Sequence, residues 1–149
     1  MATSLLSQSR PSSVRQATLA VLSVLAMTGV HHVYGAALFD TPWRLHIVFI
    51  SLPVALLVAV AAPVARSRPA TSAGRLAAWT YLVLSAGFAV GMIGLYEGGY
   101  NHVLPNLLHL LDIDHPLGAG LYVPPDDFLF QATGMAQFAV AAAAAGSLW

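Results

Sequence analysis

The stretch LHIVFISLPVALLVAVAAPVA, Leu45 to Ala65, contains no Asp, Glu, Lys or Arg from end to end. A helix of roughly 20 predominantly apolar residues crosses a bilayer, and it satisfies every backbone hydrogen bond internally while doing so. Three further runs have the same character: Ala17–Ala37, Leu76–Tyr96 and Phe128–Trp149. Composition agrees. The 149-residue chain is 58% hydrophobic and 8% charged, whereas soluble domains carry roughly 25% charged residues. The fold class expected is an all-α membrane protein. Its four transmembrane helices form an up-down-up-down bundle in a single integral membrane domain.

The boundaries follow from the punctuation between the runs. Residues 1–16 are polar and read as an N-terminal cytoplasmic tail. The first run follows Arg10 and Arg15 and so resembles the core of a signal peptide, but it is long for one and reads as a retained first helix. Asp40 or Thr41 caps helix two, with Pro42 in its first turn and Trp43 at the membrane interface. Pro53 and Pro63 predict a kink in that helix. Arg66–Arg75 reads as a cytoplasmic loop. Residues 97–127 form a long outer loop, in which Gly98-Gly99 turns the chain back and Val103–Leu111 lies on the membrane surface as a short helix. Gly87 and Gly91, then Gly94 and Gly98, make a small-xxx-small pattern that lets helices approach closely.

Charge is segregated although the net charge is zero. Arg10, Arg15, Arg66, Arg68 and Arg75 flank one side, and only Arg44 lies on the other. Short arginine-bearing segments stay cytoplasmic, which predicts a multi-pass protein of the cytoplasmic membrane with both termini inside. All six acids and all six histidines then fall on the outer side.

Four helix ends meet there. Helix one brings His31 and His32, helix two His46, helix three Glu97, and helix four Asp126, Asp127 and Gln131, with His102 five residues beyond Glu97. Several of these have ordinary explanations. Histidines at a helix C-terminus suit the helix dipole, and acids suit an N-terminus. Glu97 at a C-terminus and His46 at an N-terminus oppose it, and such breaches tend to mark functional sites. Ionisable groups in a membrane segment usually face the bundle interior and pair with something.

A divalent transition metal satisfies an acid and several neutral imidazoles together. The candidate ligands are His31, His32, His46, Glu97, His102, Asp126 and Asp127. Imidazole and carboxylate without thiolate suit zinc, copper(II) or iron, as well as nickel or manganese. The chain has no cysteine, so thiolate sites and disulfides are excluded. Tyr34, Tyr96 and Tyr100 lie at the same level as hydrogen-bond donors or interfacial anchors. Metal handling or redox chemistry at the extracytoplasmic helix ends is the function expected. Two alternatives use the same features. In one, the His/Glu cluster does acid–base chemistry on a lipid or quinone-like substrate. In the other, the chain is an accessory subunit of a homo-oligomer or larger membrane complex, docking through helix three or four. No phosphate loop, nucleophile elbow, dinucleotide fingerprint or nucleic-acid-binding patch is present.

Overall fold

The computed structural model describes residues 11–113 and 127–148. Among them there is no strand. The helices are α1 (Pro11–Leu38), α2 (His46–Ser67), α3 (Ser72–Leu110) and α4 (Phe128–Leu148), with a short 3-10 turn at Pro42–Leu45. Each contains a window long and apolar enough to cross a membrane. α4 packs along both α1 and α3, while α2 packs on α1 and on the first part of α3. Large apolar side chains point outward all round: Phe49, Leu52 and Leu56 on α2, Leu76 and Trp79 on α3, Leu129 on α4. A soluble protein would not leave so much apolar surface bare. Val21, Val24, Leu25, Val58, Ile93 and Ala144 fill the interior.

Helix ends account for two of the acids. Asp40 and Asp112 both adopt the left-handed backbone conformation, with φ of 51° and 54°. Thr41 N–H donates to the Ala36 carbonyl, and Ile113 N–H donates to that of Leu108. These six-to-one bonds close α1 and α3 in the manner usually given to glycine, and aspartate is one of the few side chains that tolerates the position.

Several expected boundaries move. α1 is helical from the first described residue, Pro11, so it reaches into the expected tail. α2 runs through both Pro53 and Pro63 to Ser67. The next helix begins at Ser72, its start capped by Thr71 Oγ1, which accepts from Gly74 N–H at 3.0 Å. The expected Arg66–Arg75 loop therefore shrinks to a few residues.

The larger correction is in α3. Gly98-Gly99 does not turn the chain: the helix continues to Leu110, and the expected surface helix is simply its last turns. The expected outer loop at 97–127 is thus helical in its first part, and residues 114–126 lie outside the described residues. Val83–Val103 is wound with i→i+5 hydrogen bonds, a geometry usually confined to single turns. Its wider turn brings residues four and five apart onto one face. The buried positions Ser85, Ala89, Ile93, Gly94, Gly98 and His102 follow that spacing.

That face lies against α4 at glycine. A Cβ on Gly94 would overlap Ala141, and one on Gly98 would reach the backbone of Gly134 and Phe138. The expected small-xxx-small contact is therefore real for Gly94 and Gly98 and lies within the chain. Gly87 faces open space, and Gly91 has only the Ala86 carbonyl of its own helix nearby. Gly98→Ala should accordingly lower stability by about 1–3 kcal/mol, the usual cost of overpacking, whereas Gly87→Ala should be neutral or mildly stabilising. Unfolding of the two variants in detergent checks this, and equal losses would contradict the packing described.

Candidate metal centre

His31 and His32 sit on the last turns of α1, both buried. Glu97 and His102 sit on the wide part of α3, five residues apart, so i→i+5 winding stacks them on one face. His102 is fully buried and lies against Gly134 of α4, where any Cβ would collide with the imidazole ring. Three imidazoles thus converge on one carboxylate oxygen. His31 Nε2 is 3.9 Å, His32 Nε2 3.7 Å and His102 Nε2 3.8 Å from Glu97 Oε1. One ligand atom each from His31, Glu97 and His102 lies within 4.8 Å of the others.

The surrounding hydrogen bonds define which ring nitrogen carries the proton. The Thr133 hydroxyl donates to the backbone carbonyls of Leu129 and Phe130, at 2.8 and 3.1 Å. With its proton so placed, its oxygen accepts from His31 Nδ1, 3.0 Å away. Gln131 Oε1 is an acceptor and takes hydrogen bonds from Asn106 Nδ2 at 2.9 Å and from His102 Nδ1 at 3.0 Å. Both imidazoles are thus protonated at Nδ1 when neutral, and each turns an Nε2 lone pair towards Glu97. Glu97 Oε2 accepts from Asn101 Nδ2 at 3.0 Å, leaving Oε1 to the imidazoles. Glu97 Oε1, His31 Nε2 and both nitrogens of His32 have no hydrogen-bond partner among the described residues. Buried polar atoms are nearly always paired, and leaving one unpaired costs about 1–3 kcal/mol.

An aromatic wall closes one side. The Phe130 ring is fully buried, stacks on His31 with centroids 4.4 Å apart, and meets His102 and Phe39 edge-on. Gly35 makes room for it, since a Cβ there would lie 2.7 Å from the ring. Arg44 is buried, donates from Nε to Thr41 Oγ1 at 2.8 Å, and holds its guanidinium over Phe39, Trp43 and Phe130 at 5.2–5.4 Å from the centroids.

The remaining candidates are placed elsewhere. His46 is exposed; its Nδ1 lies 2.6 Å from the Trp43 carbonyl and its ring stacks on Trp43. The 3-10 turn at Pro42–Leu45 takes up the residues expected to begin the helix, so His46 stands at its first residue and not a turn inside. Its apparent breach of the dipole preference is a local hydrogen bond. Asp127 caps α4: its Oδ1 accepts from Phe130 N–H and from the Tyr34 hydroxyl, both at 2.9 Å. Asp126 lies outside the described residues. Tyr96 and Tyr100 stack on each other at the surface. Sequence reasoning missed Thr133 and Phe130, for which a helix-start pattern carries no signal, and took no account of Asn101 and Asn106, each four residues beyond the side chain or carbonyl it serves.

The chain matches no protein-family model, no curated protein and no solved structure. Function is therefore read from this geometry.

Two outcomes follow. Gln131→Leu strands the His102 Nδ1–H and removes an acceptor from Asn106, and should lower stability by about 1–3 kcal/mol; an unchanged unfolding midpoint in detergent would refute the network. The Phe130 N–H, and after it the Tyr34 hydroxyl, hold the Asp127 carboxyl below its ordinary range. The cap's contribution is then present above about pH 4, the unfolded value, and is lost as pH falls through the lower folded one. Acid unfolding of wild type against Asp127→Asn, whose amide cannot ionise, should show that difference in slope.

Proposed function

We propose that this protein is an integral membrane protein that binds a divalent transition metal through His31, Glu97 and His102, for metal handling or redox chemistry. One observation carries the reading. Two imidazoles, each with its proton committed to Nδ1, aim Nε2 lone pairs at a carboxylate oxygen in a buried site. Acceptors facing acceptors in a low-dielectric interior repel, and the group they suit is a cation. Protonating one imidazole would also relieve the conflict, as a buried ion pair with Glu97 that carries the desolvation cost of two charges.

Distances and ligand type support a metal. Bonds of roughly 2.0–2.1 Å in a tetrahedral site put neighbouring ligand atoms about 3.3 Å apart, so pairs at 3.8 and 3.9 Å need to close by roughly half an ångström. Two imidazoles and a carboxylate suit zinc, copper(II) or iron. Thr133, Gln131 and Asn101 orient the three ligands from behind, as outer partners of metal-bound histidine and carboxylate commonly do. His32 approaches the same oxygen of Glu97 from the next position on α1, at 3.7 Å, beside the three ligands. The arginine distribution supports a reading in which this end of the bundle faces outward from the cytoplasmic membrane, in an up-down-up-down threading with both termini inside.

Metal analysis of protein purified in mild detergent and supplied with zinc, copper(II) or iron(II) tests this. Wild type should carry about one ion per chain, the single group described here. Glu97→Gln, His31→Ala and His102→Ala should lose it, while His46→Ala keeps it. Thr133→Val should bind 10–100-fold more weakly, the usual effect of removing an orienting partner. Wild type without any bound ion, or equal losses from His46→Ala and Glu97→Gln, would overturn the assignment.

A further inference from the structure

Two more buried polar side chains lie one turn deeper in the bundle. Thr28 on α1 and Gln137 on α4 are fully buried, and Thr28 Oγ1, Gln137 Oε1 and Gln137 Nε2 all lack a hydrogen-bond partner among the described residues. Both belong to the inward stripes of their helices. Thr28 precedes His31 by three residues, and Gln137 follows Gly134, the residue under the His102 ring, by three. The helices run in opposite directions, as the Tyr34–Asp127 and His31–Thr133 contacts require. Thr28 and Gln137 therefore share a level just beneath the cluster. Its other side holds His32, one residue nearer the helix end.

We propose that Thr28 and Gln137 hold an exchangeable oxygen ligand, water or hydroxide from solvent, on the inward coordination position of the metal. The inference rests on the metal reading above. Three protein ligands leave one tetrahedral position open, the arrangement of metal centres that exchange ligands or do chemistry, in contrast to closed structural sites. The spacing matches. Three residues of helix rise about 4.5 Å. A metal–oxygen bond of about 2.1 Å followed by a hydrogen bond of about 2.8 Å spans about 4.9 Å. The chemistry matches as well. The Gln137 amide offers a donor and an acceptor and Thr28 a hydroxyl, so together they can donate to a bound oxygen and accept its proton. The layer above offers only acceptors from Glu97 and His31. Charge favours the hydroxide form: a divalent ion with one carboxylate and neutral imidazoles carries +1, near the buried guanidinium of Arg44, and an anionic fourth ligand neutralises it. Gln137 and Thr28 are positioning residues here, since they hold the ligand and do not bind the metal.

The test uses the full chain in detergent, loaded with cobalt(II) as the spectroscopic ion. Four proteins are compared: wild type, Thr28→Val, Gln137→Met and the double variant. Metal-to-protein ratio reads the site itself; oxygen-17 water broadening of the cobalt resonance and titration with azide read the open position. The expected result is wild-type metal content throughout, with water broadening in wild type. Azide should bind roughly tenfold more weakly in the variants, the loss of one hydrogen bond to a charged ligand. Thr28→Val keeps side-chain volume and so reports even if Gln137→Met fails to fold. Cobalt bound without water broadening, or azide binding unchanged in folded variants, overturns the inward ligand and leaves the metal site standing. Wild type that takes up no cobalt overturns both, and the metal ratio alone shows which has failed.

Discussion

The close approach of α3 to α4 is the constraint on which the rest depends. Gly94, Gly98 and Gly134 remove the side chains that would otherwise hold the two helices apart. Lipid tails are as apolar as leucine, so helix association in a bilayer gains little from burying apolar area and relies on packing of this kind. His102 then fills the space left at Gly134, and its Nδ1–H reaches Gln131 three residues earlier on α4. Push the helices apart by one methyl group and the imidazole loses its wall, its acceptor and its aim at Glu97. The packing glycines and the ionisable cluster are parts of one interface.

The wide winding of α3 is the second requirement. In an ordinary α-helix, Glu97 and His102, five residues apart, would point about 140° away from each other. With i→i+5 bonding they share a face, and that face is the one turned to α1 and α4. Single turns of this geometry recur at functional sites because they re-aim side chains. Here a run of small residues, Ala86, Gly87, Ala89, Gly91 and Gly94, accompanies it, and the buried positions keep its four-to-five spacing up to His102.

The four crossings were legible in the sequence because hydropathy is a local property, independent of what each helix packs against. So were His31, His32, Glu97 and His102 as one group, since ionisable residues in apolar spans turn inward. The route from Glu97 to His102 was not. Gly98-Gly99 reads as a break by conformational preference, yet in this chain both glycines are packing residues, set against Gly134 and Phe138. His46 misled for a related reason: the dipole argument assumed it lay a turn inside α2, and a 3-10 turn displaced that start. Asp127 proved to be a cap and Asp40 a helix terminator, roles that acids fill wherever helices begin or end. Thr133 and Phe130 could not be read at all. Their importance comes from facing His31 across an interface, and one helix's pattern does not contain its neighbour.

Phe130 raises the remaining electrostatic question, because it sits between a cation and a site proposed to hold another. Arg44 and His31 both lie against its ring. A buried guanidinium close to a metal would weaken binding by direct repulsion if nothing stood between them, and at low dielectric that effect is large. The aromatic wall answers it in two ways. The faces of Phe39, Trp43 and Phe130 present negative quadrupole density to the guanidinium, satisfying it by cation–π contact. Phe130 is also the ring on which His31 stacks, so the guanidinium meets the cluster through an aromatic side chain. With the guanidinium held on aromatic faces, the described approaches to Glu97 Oε1 are those of the three imidazoles, which is the arrangement the proposed cation site requires.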